Sequence, residues 1–276
     1  MKLVLAMLRT GEGRGGTLLL ALFAIVALAA PLIFPGDPLA IVTSRLLPPF
    51  TQAAHPLGSD RLGRDVMVQL AYGARTSGLV ALLAAAAALG FGTLVGAIAG
   101  FFGGLVDEAL MRITEAFQTV PGFLLALALI SVLGPSVPTI VLAIAAGAWT
   151  QPARIARAEI LSLRERDFVA AARVIGMGPF EIALREVLPN ALTPVISLAA
   201  IIAAAAVLVE AALAFLGLGD PNVASWGAMI AEGRSMLRTA PWLSMVPGLA
   251  LVASVLAIHL VGRGLARALS IRPGLA

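Results

Sequence analysis

The chain contains no cysteine. That excludes disulfides, thiolate metal sites and cysteine nucleophiles together. Lysine is almost missing as well: of 19 basic residues, only Lys2 is not an arginine. A Walker-type phosphate loop needs a lysine after its glycines to reach the β- and γ-phosphates, so this chain does not hydrolyse ATP by that route. Charge of either sign is scarce, at 12% of residues against 60% hydrophobic. Mean hydropathy is +0.99, far from the soluble globular average. Histidine is limited to His55 and His259. An intramembrane enzyme wants a paired nucleophile and base or a metal cluster; with no cysteine, and with His55 expected outside and His259 near the inner end of the last span, that reading is weak.

What the chain has is long apolar runs, several reaching the 18–25 residues or so that a helix needs to cross hydrocarbon. The expected fold class is an all-α polytopic membrane protein. Six transmembrane helices are read, at Thr17–Phe34, Ser77–Phe101, Ala109–Leu133, Val137–Trp149, Leu192–Leu216 and Leu243–Val261. The fourth is short and bracketed by Pro135, Pro138 and Pro152, and is expected to continue as helix into the polar segment after it. With the N-terminus inside, Lys2, Arg9, Arg14, Arg112, the six arginines of 151–190, Arg263, Arg267 and Arg272 are cytoplasmic, thirteen in all. Six remain outside: Arg45, Arg61, Arg64, Arg75, Arg234 and Arg238. The positive-inside rule therefore places both termini in the cytoplasm. Trp226 and Trp242 fall near the outer interface and Trp149 near the inner one, where indoles concentrate. The first run ends in small residues, Ala27 to Ala30, like a cleavable secretory signal. It continues through Pro31 to Phe34, however, and its removal leaves an odd span count.

Gly92, Gly96 and Gly100 share one face of the second span. Tight packing of that face within the bundle is the expected reading, because small residues let backbones approach in lipid. Glu210 stands alone in the fifth span, where an acid must face protein or water. Gating and hydrogen-bonded packing both fit it. Arg112 and Glu115 are spaced to pair on one helix.

The longest polar segment is 151–190, with six basic and five acidic residues. Arg154 to Ile175 reads as helix, with close opposite charges such as Arg164 and Asp167. Gly176 and Gly178 free the backbone to turn, and Pro179 suits the first position of a new helix. That short helix is expected to end before Pro189 and to lie along the membrane, offering Met177, Phe180 and Leu184 as apolar anchors. An interfacial helix resting on lipid is the competing reading. The near-balanced charge and the Gly-Met-Gly-Pro elbow favour docking to a protein.

Residues 167–190, DFVAAARVIGMGPFEIALREVLPN, resemble the cytoplasmic loop of bacterial binding-protein-dependent ABC importer permeases. In that family an E-A-A, three residues, G … L-P pattern forms the coupling helix that seats in the ATPase. Ala171, Ala172, Gly176, Leu188 and Pro189 match it. Ala170 stands where the pattern has glutamate, while Arg173 and Asn190 fit the peptide-transport branch. The stretch His55–Val66, HPLGSDRLGRDV, is similar to the signature before the second span in the dipeptide/oligopeptide/nickel subgroup, C-type subunit. Tyr72–Arg75, Gly100–Asp107, Leu161–Arg166, Phe215–Gly219 and Ser225–Gly227 fit that subgroup, and Glu210 falls where it carries an acid. His259 and Arg263 replace its more usual Asn and Asp.

The resemblance implies a type I ABC importer permease fold. A cytoplasmic tail (1–16), the first helix (17–34) and an extracytoplasmic loop (35–75) precede a permease core (76–265) containing the coupling loop 151–190, and a cytoplasmic tail (266–276) follows. It implies a transport subunit of the bacterial inner membrane that is not itself an enzyme, with no catalytic, metal or cofactor site of its own. ATP and Mg belong to two partner ATPase subunits. A homologous B-type permease, an extracytoplasmic substrate-binding protein and the lipid bilayer complete the partners, without nucleic acid. The ATPases are expected to meet Ala170, Ala171, Ala172, Arg173, Gly176, Met177, Gly178, Pro179, Phe180, Leu188 and Pro189. His55, Gly58, Asp60, Gly63, Arg64 and Asp65 are candidates for an outer contact with the binding protein or partner permease, or for a loop that packs on its own spans. Di- or oligopeptides are the implied solute, with nickel chelates or another small solute as alternatives. A self-sufficient secondary transporter would need midplane coupling-ion residues and often shows inverted repeats. Glu210 is one candidate acid, and no repeat is evident.

Overall fold

The computed structural model describes residues 7, 8 and 10–270. Lys2, Arg9 and Arg272 lie outside the described residues, as do the ends of both terminal tails. The described residues form helices and loops without a strand, apart from two isolated bridges, Ile41–Arg64 and Ser59–Asp65. The helices are α1 (Gly11–Ile33), α2 (Val66–Phe102), α3 (Gly104–Thr119), α4 (Gly122–Leu133), α5 (Val137–Ala148), α6 (Thr150–Leu163), α7 (Asp167–Val174), α8 (Pro179–Ile182), α9 (Leu188–Phe215), α10 (Trp226–Gly233) and α11 (Trp242–Ser270). Side-chain oxygens start several of them. Thr10 accepts from Gly13 N, Asp65 from Met67 N and Val68 N, and Ser136 from Thr139 N, each satisfying donors that the first turn leaves free.

Four helical runs are long and apolar enough to cross a membrane: Gly11–Ile33, Val66–Phe102, Pro179–Phe215 and Trp242–Leu269. The third expected span is not one straight helix. It is broken into α3 and α4, whose axes are bent by 84°. Pro121 causes the break. It offers no N–H to the ladder, and it drives Val120 into extended backbone, φ −93° and ψ 124°. The short α5 does run on as helix through Trp149, at φ −68° and ψ −23°, into α6.

The packing around the second span is the within-bundle arrangement. A Cβ at Gly92 would strike the Trp149 carbonyl oxygen, and one at Gly96 the Ala153 carbonyl oxygen. A Cβ at Gly100 would lie 3.0 Å from Ile160 Cγ2. The three glycines thus let α2 lie directly on the α5–α6 rod, where dispersion contacts replace the hydrophobic drive absent in lipid. Beyond them, Val80 and Ala84 of α2, Ile130 of α4, Ile140 of α5 and Leu213 of α9 close a common core. The helix α1 joins through Gly13 and Gly16, which abut Gly264 and Leu260 of α11. Glu12 pairs with Arg263 at 2.9 Å and Arg267 at 3.1 Å across that same contact.

Two of the three tryptophans are buried within the protein. Trp149 is buried edge-on to Phe91 and Phe117. Trp226 is buried against Phe23 and donates Nε1–H to the Leu70 carbonyl at 3.0 Å. A ring with one polar atom gains as much from a buried acceptor as from an interface.

Candidate functional site

The polar segment departs from the expected single helix. It breaks at Arg164–Arg166, with Arg166 extended at φ −80° and ψ 154°. Packing decides this. Folding α7 back on α6 buries Ile160, Leu163, Val169 and Ala172 together with Ile182, Val187 and Ala191, which a straight helix from 154 to 175 would hold apart. Arg164 turns away from Asp167; it bonds Glu165 at 3.3 Å and the Gly100 carbonyl at 3.2 Å.

The elbow is a complete Schellman stop. Gly176 has φ +87°, a conformation that suits a residue without Cβ. Its N–H reaches the Arg173 carbonyl, and Met177 N–H reaches the Ala172 carbonyl, both at 3.1 Å. Met177 packs inward on Ala172 and its neighbours, so it is a brace rather than an outward anchor. Gly178 is extended, and Pro179 then starts α8. Outward stand Val174, 87% exposed, Ile175, 76%, and Phe180, 69%, with Leu184 also exposed. Ala170, Ala171 and Arg173 share the exposed side. Val174 and Ile175 escape a sequence reading, because apolar residues beside a helix stop look like core. Arg185 is tied to Glu181 at 2.5 Å, one turn away.

The helix expected to end before Pro189 instead continues. A π-helical turn, Ala183–Val187, joins α8 to α9 with αR backbone throughout. The wider turn absorbs the missing N–H and the ring of Pro189. Pro179 to Phe215 is therefore one rod, with Leu188 half-buried and Pro189 exposed near its base.

The loop between α1 and α2 is the opposite case. Asp60 Oδ1 accepts from Leu62 N at 2.8 Å and Arg64 N at 2.9 Å, and its Oδ2 accepts from Gln69 Nε2 at 3.1 Å. Asp65 caps α2 with one oxygen and holds His55 Nδ1 at 2.6 Å with the other. Gly58 and Gly63 have φ +75° and +90°, and a Cβ at either would strike the carbonyl of Leu47 or Thr43. Gly58, Asp60, Gly63 and Asp65 are buried, His55 and Arg64 half-buried. Arg64 reaches Glu232 of α10 at 3.6 Å. Burial pushes the Glu232 carboxyl above its ordinary value, Arg64 pulls it down, and Asp60 pushes it up again.

Glu210 is 2% exposed. It accepts a hydrogen bond from Ser77 Oγ of α2 at 2.9 Å, and Ser225, the N-cap of α10, also bonds it. The acid thus joins three elements within the protein. Its partner Ser77, 133 positions earlier, carries no signal in sequence. Arg112 and Glu115 do pair, at 3.5 Å on an exposed face. Among the described residues no group of three or more His, Asp or Glu is placed to hold a metal ion.

Residues 92–273 match the family described as "Binding-protein-dependent transport system inner membrane component". The chain belongs to that family. It is 37% identical over 261 residues to a putative peptide transport system permease protein of Brucella suis, covering 94% of this chain and 87% of that one. A di/tripeptide transport system permease protein of Pseudomonas aeruginosa is 38% identical over 261 residues, 92% of this chain and 86% of its own. The nickel transport system permease protein of Escherichia coli is 37% identical over 250 residues, 90% of each. The chain is thus the permease subunit of an ATP-driven importer, an inner-membrane component with several apolar helices. In this permease the family match spans the elbow and Glu210, whereas the loop between α1 and α2 lies in the part reached by the longer match to the relatives.

Proposed function

We propose that this permease imports di- or oligopeptides, and that the elbow at 164–187 is the coupling helix on which an ATPase pulls. Relatives named for peptide transport support the solute; the relative named for nickel supports nickel chelates as a second reading. Six spans follow if α3–α4 counts as one bent crossing and α5 crosses with the start of α6, the arrangement of a type I importer permease. The layout is then a cytoplasmic tail (1–16), a first helix (17–34), an outer loop (35–75), a core (76–265) and a second tail (266–276), with both ends inside. The excess of basic residues on that side supports the orientation. A B-type permease supplies the other half of the path, an extracytoplasmic binding protein delivers solute to the outer side, and two ATPases bear the ATP and Mg. The subunit itself catalyses no reaction.

One observation carries the coupling role: Val174, Ile175, Phe180 and Leu184 stand exposed on a backbone closed by the Gly176 and Met177 hydrogen bonds and braced from behind. Exposed apolar patches on a stiff support mark partner surfaces. The support continues as an unbroken rod from Pro179 to Phe215, so a push on Phe180 reaches the membrane without being absorbed in a loop. Val174→Asp and Phe180→Asp change only exposed side chains. Each is expected to cost about 2 kcal/mol of ATPase affinity, roughly thirtyfold, with the fold intact. The check is co-purification of the ATPases with the detergent-extracted complex. Undiminished recovery of the ATPases with either variant would rule out docking here and leave the lipid surface as the patch's partner.

A further inference from the structure

Two cavities outside the elbow meet at one residue. The upper, about 260 Å³, lies where α4, α5 and α9 converge and is walled by Phe123, Ile201, Ala205 and Val209, with the backbone of Gly122 and Gly147 between them. Those glycines are so close that a Cβ at Gly147 would sit 3.0 Å from Gly122 Cα. The lower cavity, about 620 Å³, opens between α3 and α6 and is lined by Glu115, Gln118, Arg154 and Arg157. Gln151 lines both. The bend at Val120–Pro121 makes this possible, since Gln118 before it faces the lower space and Gly122 after it the upper. The two spaces adjoin at the Gln151 side chain, the one beside the middle of α9 mostly apolar and the one between α3 and α6 polar.

The two arginines of the polar space are in different states. Arg157 is committed, with Nε and Nη2 both bonded to the Asp107 carboxylate. Arg154 donates Nη1–H to Gln118 Oε1 at 3.1 Å, and no carboxylate pairs with it among the described residues. A guanidinium steadied by an amide and facing an open polar cavity is built to take a carboxylate in its fork. Glu115, the acid of that space, is already paired with Arg112. The unpaired charge presented to the cavity is therefore positive.

We propose that these two adjoining cavities open into one another as this subunit's wall of the solute exit route, with the polar one on the cytosolic side, and that Arg154, Gln118 and Gln151 receive the terminal carboxylate of the departing peptide. The carboxylate site rests on the peptide-importer reading. The apolar stretch offers a peptide few groups to hold it, and the first free cation it meets toward the cytosol is Arg154. Release is then a handover from a surface that does not bind to one that binds weakly beside bulk water.

The absence of cysteine makes a direct test possible. Ala205→Cys and Gln151→Cys are made singly in the whole importer, with partner permease, ATPases and binding protein, in inside-out vesicles. A membrane-impermeant maleimide is added, and its attachment is read on this chain by mass. Both sites should label without nucleotide and slow about tenfold when binding protein and a non-hydrolysable ATP analogue close the inner mouth. Failure to label means that a lipid chain or a partner helix fills the cavities, and overturns the proposal. Labelling that ignores nucleotide means a static cavity, and overturns it equally.

For the carboxylate site, excess dialanine on the cytosolic side should slow labelling of the Ala205→Cys protein, and dialanine amide should be about tenfold less effective. Arg154→Gln should erase that difference and Arg154→Lys should keep most of it. Equal protection by acid and amide removes the carboxylate role. Dialanine uptake by the unaltered importer is measured in parallel. If it fails while labelling still follows nucleotide, the peptide reading falls, and the carboxylate site with it, while the exit wall stands.

Discussion

The loop between α1 and α2 and the elbow between α6 and α9 are both glycine-punctuated stretches of polar character, and they use their residues in opposite ways. In the loop the carboxylates of Asp60 and Asp65 point inward and are consumed by the chain's own N–H groups. At the elbow backbone groups close the helix stop between themselves, and apolar side chains are left facing out. A region that spends its polar groups on itself suits a scaffold, whereas apolar surface displayed on a braced support is the feature on which the docking proposal rests. The glycines make the contrast sharpest. Gly63 at φ +90° is hemmed in by the Thr43 carbonyl, while Gly176 at φ +87° has open space where a Cβ would be.

The comparison can be broken in four ways. Gly63→Ala should be the most severe, about 3–5 kcal/mol from left-handed strain plus collision with the Thr43 carbonyl, and is checked by thermal melting of the purified complex. A small loss there would mean that the loop yields, and that it is not the scaffold described. Asp60→Ala leaves three donors without an acceptor and should cost about 2–3 kcal/mol in the same melt, with ATPase recovery per folded complex unchanged. Gly176→Ala meets no neighbour, so only the left-handed strain remains, about 1 kcal/mol. Its melting temperature should barely move, while any loosening of the elbow appears in ATP-driven uptake.

The smallest effect is a pH dependence. Burial raises the Glu232 carboxyl above the ordinary 4.5, so the folded state holds that proton more tightly than the unfolded chain. Its contribution is therefore present at low pH and is lost as pH rises through the raised value. Melting curves of the parent should show a slight decline over that window, and Glu232→Gln should flatten it. An unchanged slope would mean that Arg64 fully offsets the burial.

Much of this was readable beforehand, for local reasons. Gly92, Gly96 and Gly100 had to face a close neighbour, and the neighbour proved to be α5–α6. The Gly176–Pro179 stop follows from backbone chemistry that involves only adjacent residues. The misreadings share another cause. Arg154–Ile175 has helix-forming residues throughout, yet it breaks at 164–166 because folding back buries Ile160 and Leu163 with Val169. Pro189 looked terminal, yet a π turn carries the helix past it. Pro121 sat inside an apolar run of spanning length, and the bend it enforces shapes the two cavities.

By itself the sequence determined the class of protein, the apolar runs, the glycine faces and the elbow, because length, hydropathy and backbone freedom are properties of neighbouring residues. It also limited the chemistry, since a chain without cysteine has no disulfide, thiolate metal site or cysteine nucleophile, and its single lysine, Lys2, follows no glycine-rich loop. Tertiary structure alone decided that Glu210 meets Ser77, that Asp107 takes Arg157 and leaves Arg154 unpaired by a carboxylate, and that Met177 faces in while Val174 faces out. Each of these depends on which surfaces are brought together from distant parts of the chain, and burial and pairing exist only once those surfaces touch.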